Sequence, residues 1–270
     1  MMRFNSTRAK WMNVAGAVTF VLMLVLNGLA NLLPINGLQT GQISDQYANY
    51  FAPISFTFSI WAVIYTTLAF YVAWRLKYFR KTEDNPLNRH LFKVDIAFTI
   101  GNLANSAWIL AWHYLDFVMS LIFMVILLIS LMYINLQFKK EFSLATIPFR
   151  IYFGWITVAT VANVTTMIVA NFSAFQWLWN GGEVSEQLLT MIILLVAIAI
   201  GNVTTIRQQD YYYGAVILWA LLGIFSRHAL FMPEFGILGI RNLALAGSFL
   251  TLFSIVWTLR HKFTQILRKN

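Results

Sequence analysis

"FAPISFTFSIWAVIY" (51–65) opens an apolar run with Pro53 and then threads hydroxyls and rings through it: Ser55, Thr57, Ser59, Trp61 and Tyr65. A segment that had only to dissolve in lipid would use Leu, Ile and Val throughout. At 3.6 residues per turn, Pro53, Thr57, Trp61 and Tyr65 fall on one stripe, with Ser55 and Ser59 on its neighbour. The spacing predicts a helix that enters a membrane and turns a hydroxyl-lined, aromatic face away from lipid.

The rest of the chain agrees. Its 270 residues are 59% hydrophobic and 11% charged, with a mean hydropathy of +0.67. A soluble domain carries about 25% charged residues, so most of this chain belongs in hydrocarbon. A net charge of +9 would suit nucleic acid. The basic residues, however, lie in short clusters between apolar runs, and no DNA- or RNA-reading motif is present, so no nucleic-acid partner is expected. The absence of cysteine excludes a disulfide framework, a thiol nucleophile and a cysteine metal site.

A spanning helix needs about 20 mostly apolar residues. Eight such runs are predicted, at 11–33, 52–75, 94–114, 117–138, 146–170, 188–206, 211–230 and 237–259, which makes the fold class an all-α polytopic transmembrane bundle. The first run is too long for a signal-peptide core and lacks a small-residue cleavage site, so it counts as a span. Of the 19 basic residues, all but Arg227 and Arg241 fall on one side of these spans. The positive-inside rule then places both termini in the cytoplasm.

Polar residues inside the spans are mostly amides: Asn27, Asn31, Asn102, Asn105, Asn135, Asn163, Asn202 and Asn242. Each is costly against lipid, so they are expected to point inward as interhelical glue. Asp95, near the cytoplasmic end of the third span, is expected to snorkel or pair with Lys93. His113 and Asp116 read as a solvated outer turn, and Trp177 and Trp179 as an interfacial belt. Glu234 is expected to pair with an arginine. The competing reading turns Arg241 into the bundle beside Asn242, toward an anionic group of a ligand. No metal-ligand spacing, phosphate loop or Ser-His-Asp arrangement is present, so no metal, no cofactor, no catalytic residue and no enzyme activity is expected. No acid lies clearly deep in a span, which weighs against a proton-driven pump.

Two more helices repeat the aromatic theme of the opening stretch. Asn105, Trp108 and Trp112 share a face of the third span; Tyr152, Trp155, Ala159 and Asn163 share one of the fifth. Together with Trp61 and Tyr65 they suggest a shared apolar cavity for a flat hydrophobic ligand.

In these features the sequence resembles the translocator protein family, also called tryptophan-rich sensory proteins (TspO/MBR), over about residues 11–171. The matching residues are Pro53, Trp61 and Tyr65, then Asn105 and Trp108, then Tyr152, Trp155, Ala159 and Asn163. The run from "NGLANLLPINGLQTG" to the opening stretch is similar to the longer bacterial members. The chain departs from the pattern at Ser55 and Ser59, where the family has Trp and Pro, and at Ile151, where it has Pro. The resemblance implies a five-helix core (1–171) whose pocket takes tetrapyrroles or sterol-like molecules under a lid formed by 34–50, with a three-helix extension (172–270). The expected function is binding, sensing or transporting a planar hydrophobic ligand in a bacterial cell membrane. The ligand residues would be Trp61, Tyr65, Asn105, Trp108, Trp112, Trp155, Ala159, Asn163 and Arg241. A small-solute carrier is the alternative, then an enzyme acting on a lipid-soluble substrate. The expected partners are the small hydrophobic molecule and the bilayer, with a homodimer left open.

Overall fold

A computed structural model describes residues 6–33, 35–47, 49–81, 86–138, 145–171, 183–231 and 239–267; side chains are described for these except 6, 78–81, 86–89, 183–185, 265 and 266. Among the described residues the regular structure is wholly helical. The helices are α1 Ser6–Leu32, α2 Thr40–Gln46, α3 Ile60–Lys81, α4 Pro86–His113, α5 Phe117–Phe138, α6 Ile147–Ala170, α7 Glu183–Gln208, α8 Tyr211–Phe231 and α9 Ile240–Leu267, with 3-10 turns at Ile35–Gly37 and Ser55–Ser59. All but the short α2 are long and apolar enough to cross a membrane, which gives 8 spans. The protein is a polytopic helical membrane protein.

The opening stretch departs from its expected form. Instead of a helix from 52, Ile54 is extended (φ −59°, ψ 144°), Ser55–Ser59 is a 3-10 turn, and α3 begins only at Ile60. The reason is local and tertiary. Pro53 has no N–H and pushes Ala52 out of helical geometry. The Ile54 N–H is then taken up by the Gly223 carbonyl of α8 at 3.1 Å. Non-helical backbone at membrane depth survives where protein supplies such a bond. The stripe is therefore cut: Trp61 and Tyr65 ride on α3, whereas Pro53 and Thr57 lie against Gly223, where even an added Cβ would collide with Thr57.

Two tight turns use one backbone device. After α4, Leu115 takes a left-handed φ of 60°; after α7, Gln209 takes 53°. Asp116 N then reaches back to Ala111 O (3.0 Å) and Asp210 N to Thr205 O (2.9 Å), the six-to-one bond of a Schellman end. Each aspartate next caps the following helix: Asp116 Oδ1 accepts from Met119 N (3.0 Å), and Asp210 Oδ1 from Tyr213 N (3.0 Å).

By packing, the chain forms two units: Met1–Ile43 with Trp61–Phe149, and Ser44–Ile60 with Arg150–Asn270. In the first, amides tie α4 to α1: Asn102 Nδ2 donates to Gly16 O (3.3 Å), and Asn27 Nδ2 to Asn105 Oδ1 (2.7 Å). Tyr71, Phe98 and Phe149 interlock edge to face, with ring centroids 4.6 to 5.7 Å apart. In the second, glycines let helices touch. A Cβ on Gly214 would lie 2.8 Å from Thr205 and 2.9 Å from Ile255, and one on Gly201 would lie 2.8 Å from Ile217. Asn202 adds bonds to Thr251 (3.2 Å) and from Ser254 (2.7 Å).

The amides largely point inward as expected, with Asn27, Asn102, Asn105, Asn135, Asn163 and Asn202 buried. Asn31 and Asn242 are exposed instead; Asn31 turns its amide back onto Asn27 O at 2.8 Å, so the outlay of facing outward is reduced. Asp95 also differs from expectation. It neither snorkels nor relies on Lys93: it is 2% exposed and bonded to Arg75 through Nε–Oδ1 at 3.1 Å and Nη2–Oδ2 at 2.7 Å. A second buried pair joins Arg150 Nη1 to Asp210 Oδ2 at 2.7 Å, with side-chain exposures of 1% and 0%. Buried ion pairs at these helix ends were not anticipated.

Candidate functional site

In the first unit, α3 and α4 lay four rings in a row that continues onto α5. Trp61 and Tyr65, one turn apart on α3, are stacked at 5.2 Å and 24°. Trp61 is also near-parallel to Trp108 of α4, at 6.3 Å and 27°. Trp108 lies 6.3 Å from Trp112, and Trp112 meets Phe117 of α5 edge-on at 5.3 Å. These separations are within the range of favourable aromatic pairs, each contributing about 0.5–1.5 kcal/mol beyond its burial. Trp61 and Tyr65 are half-buried, while Trp108 and Trp112 are 7% exposed. The indole N–H of Trp108 is buried and has no hydrogen-bond partner among the described residues. Asn105, one turn before Trp108, is fully buried and committed to Asn27.

The first loop fastens onto the end of this row. His113, expected in a solvated turn, is 0% exposed. Its Nδ1 donates to Ile35 O (3.3 Å), which leaves Nε2 to accept from the Thr40 hydroxyl (2.9 Å). Asn36 Nδ2 donates to His113 O at 3.0 Å, and Trp112 Nε1 to Thr40 O at 3.4 Å. Sequence reasoning missed this latch because the partners lie more than 70 residues apart and neither Thr40 nor Asn36 carries a recognisable motif. Asp116 is exposed, as expected.

Trp155, Ala159, Asn163 and Arg241 belong to the second unit. Trp155 is 2% exposed, with Phe58 edge-on at 5.8 Å and 85°. Asn163 is buried, Ala159 half-buried, and Arg241 half-buried in the first turn of α9. The same unit binds the irregular segment before α3 through side chains for which the sequence suggested no such contact. Trp219 Nε1 donates to Thr57 O (2.9 Å), Arg227 Nη1 to Ala52 O (3.1 Å), and His228 Nε2 to Tyr50 O (2.8 Å). Trp219, Gly223 and Arg227 recur every fourth residue, so one face of α8 is built to receive that backbone. Pro34, Trp177, Trp179 and Glu234 lie outside the described residues, and with them part of the expected lid, the expected aromatic belt and the expected partner of the outer arginines.

Comparison with protein families closes the question of kinship: the family described as TSPO-like protein matches residues 12–257. The chain belongs to the TSPO-like protein family. The match runs through the last three spans as well as the first five, so these helices are part of what the TSPO-like family shares. Comparison with curated proteins and with solved structures gave no match.

Proposed function

We propose that this TSPO-like membrane protein binds a planar hydrophobic molecule, of tetrapyrrole or sterol-like shape, against the aromatic row of its first unit. The observation that carries the reading is the indole N–H of Trp108: a buried donor without a partner among the described residues, beside the half-buried Trp61 and Tyr65. A buried donor left unbonded is costly, and a carbonyl or carboxylate on a flat ligand would satisfy it while the rings supply stacking area. The loop held by His113 sits at the Trp112 end of the row and is suited to act as its cover. In the second unit Trp155, Ala159 and Asn163 are carried as ligand residues by their spacing and by the family resemblance, and Arg241, beside Asn242, as a partner for an anionic group of the ligand. No catalytic group is assigned.

The test is titration of the purified protein with protoporphyrin, read by tryptophan fluorescence. Stoichiometric quenching is expected, and Trp61→Ala should weaken it by about tenfold or more, the equivalent of 1–3 kcal/mol of lost contact. Trp108→Phe keeps an aromatic ring, though a smaller one, and removes the donor, and should also weaken binding. Unchanged affinity in both variants would sink the proposal. Trp155→Ala probes the second unit separately.

The alternative is a small-solute carrier. Ligand flux in proteoliposomes distinguishes a carrier from a receptor. We further infer a bacterial cell membrane with both termini cytoplasmic. Arg75 and Arg150 are committed to ion pairs, yet the remaining loop charges still point one way. The natural absence of cysteine makes Asp45→Cys and Glu183→Cys direct reporters, each expected to be labelled from outside.

A further inference from the structure

Away from the aromatic row, a small cavity lies within the first unit where α1, α3 and α4 meet. It is lined by Asn13, Gly16, Tyr71, Arg75, Asp95 and Phe98 among others, and its volume is about 10 Å³. That is the smallest space that holds one water molecule. On α3, Arg75 lies 14 residues past Trp61, about 20 Å along the axis at 1.5 Å per residue, so this is a separate place from the proposed ligand surface.

The lining is not that of an empty apolar void. Tyr71 is 2% exposed, and its hydroxyl has no hydrogen-bond partner among the described residues. Arg75 and Asp95 border the same space, bonded to each other, and Asn13, 6% exposed, contributes an amide. A buried hydroxyl left without a bond costs as much as a lost hydrogen bond, and structures seldom leave one so. A guest must satisfy three conditions. It must be no larger than water. It must both donate and accept, to meet a hydroxyl, a guanidinium, a carboxylate and an amide. It must also be neutral, because a lone cation would lie against Arg75 and a lone anion against Asp95.

We propose that this cavity is a binding site for a single water molecule that links the Tyr71 hydroxyl to the Arg75–Asp95 pair and Asn13. The water completes the polar junction of three helices and shields the ion pair from hydrocarbon. It is a neutral, dipolar ligand site, and larger solutes are excluded by size.

The sign of one substitution tests this. If the cavity is dry, Tyr71→Phe removes an unsatisfied polar group and leaves the melting temperature unchanged or raised. If water is bound, the same change removes one of its partners, and the melting temperature falls. We expect a fall. An experimental map of the wild-type protein near 2 Å resolution is expected to show one density peak within hydrogen-bond distance of Tyr71 Oη and of Arg75, Asp95 or Asn13. An empty cavity, or a melting temperature that holds or rises in Tyr71→Phe, would overturn the proposal. Should Tyr71→Phe fail to fold, the wild-type map alone decides.

Discussion

The two units join helices in different ways. In lipid there is no hydrophobic drive to press helices together, so contact must come from close packing and interhelical bonds. The first unit relies on large side chains: Trp61 to Trp108, and Tyr71 among Phe98 and Phe149. Its glycines are loosely surrounded; a Cβ on Gly28 would meet nothing within 4 Å, and one on Gly101 only Leu127 at 3.4 Å and Ser130 at 3.5 Å. The second unit removes side chains where helices cross, at Gly154, Gly201 and Gly214. Side-chain joints can yield by changing rotamer, whereas backbone-close joints cannot. On the reading proposed above, the unit built of rings has the side-chain freedom to take a flat ligand, whereas joints built on glycine leave less room to adjust.

The same contrast runs through the two Schellman turns. Asp116 and Asp210 cap their helices alike, but Asp116 is exposed and Asp210 is fully buried against Arg150. Asp210→Ala should therefore be the most damaging change, about 3–5 kcal/mol, because it strands a buried guanidinium as well as losing a cap. Gly214→Ala comes next at about 1–3 kcal/mol, since Thr205 and Ile255 must move. Asp116→Ala should cost only about 1 kcal/mol, the loss of a solvated cap. Gly28→Ala should have the smallest effect and the opposite sign, a gain of about 0.5–1 kcal/mol from helix propensity alone. Unfolding in denaturing detergent orders the four. Equal losses for Asp210→Ala and Asp116→Ala would erase the distinction between the turns, and a loss for Gly28→Ala would show the first unit to be tightly packed after all.

Hydropathy reveals the spans because about 20 apolar residues in a row have few other uses, and each of the 8 predicted runs falls on one long helix, with ends that differ by up to eight residues. Where α3 begins was not visible. Hydropathy does not distinguish an extended apolar segment from a helix, and the bond that fixes Ile54 comes from Gly223, far along the chain. The row Trp61, Tyr65, Trp108, Trp112 was half legible: each pair shares a helical face by spacing, but stacking across α3 and α4 is a tertiary fact. Arg75 and Arg150 read as loop charges because they sit at span ends. Only the fold shows that Asp95 and Asp210 draw them inside. His113 misled for the reverse reason, a polar residue beside a turn that the first loop then covers.

The buried pairs also set an order in time. Arg75 precedes Asp95 by 20 residues, and Arg150 precedes Asp210 by 60. At a synthesis rate of about 5–20 residues per second, the first arginine waits about 1–4 s for its counter-ion and the second about 3–12 s. Through that interval Arg150 must keep its guanidinium at the headgroup level, its stem in the hydrocarbon. It can be drawn inward only once the seventh span begins to emerge. The Arg150–Asp210 bond therefore forms late in biogenesis, and truncation before Asp210 would leave the nascent chain without this counter-ion.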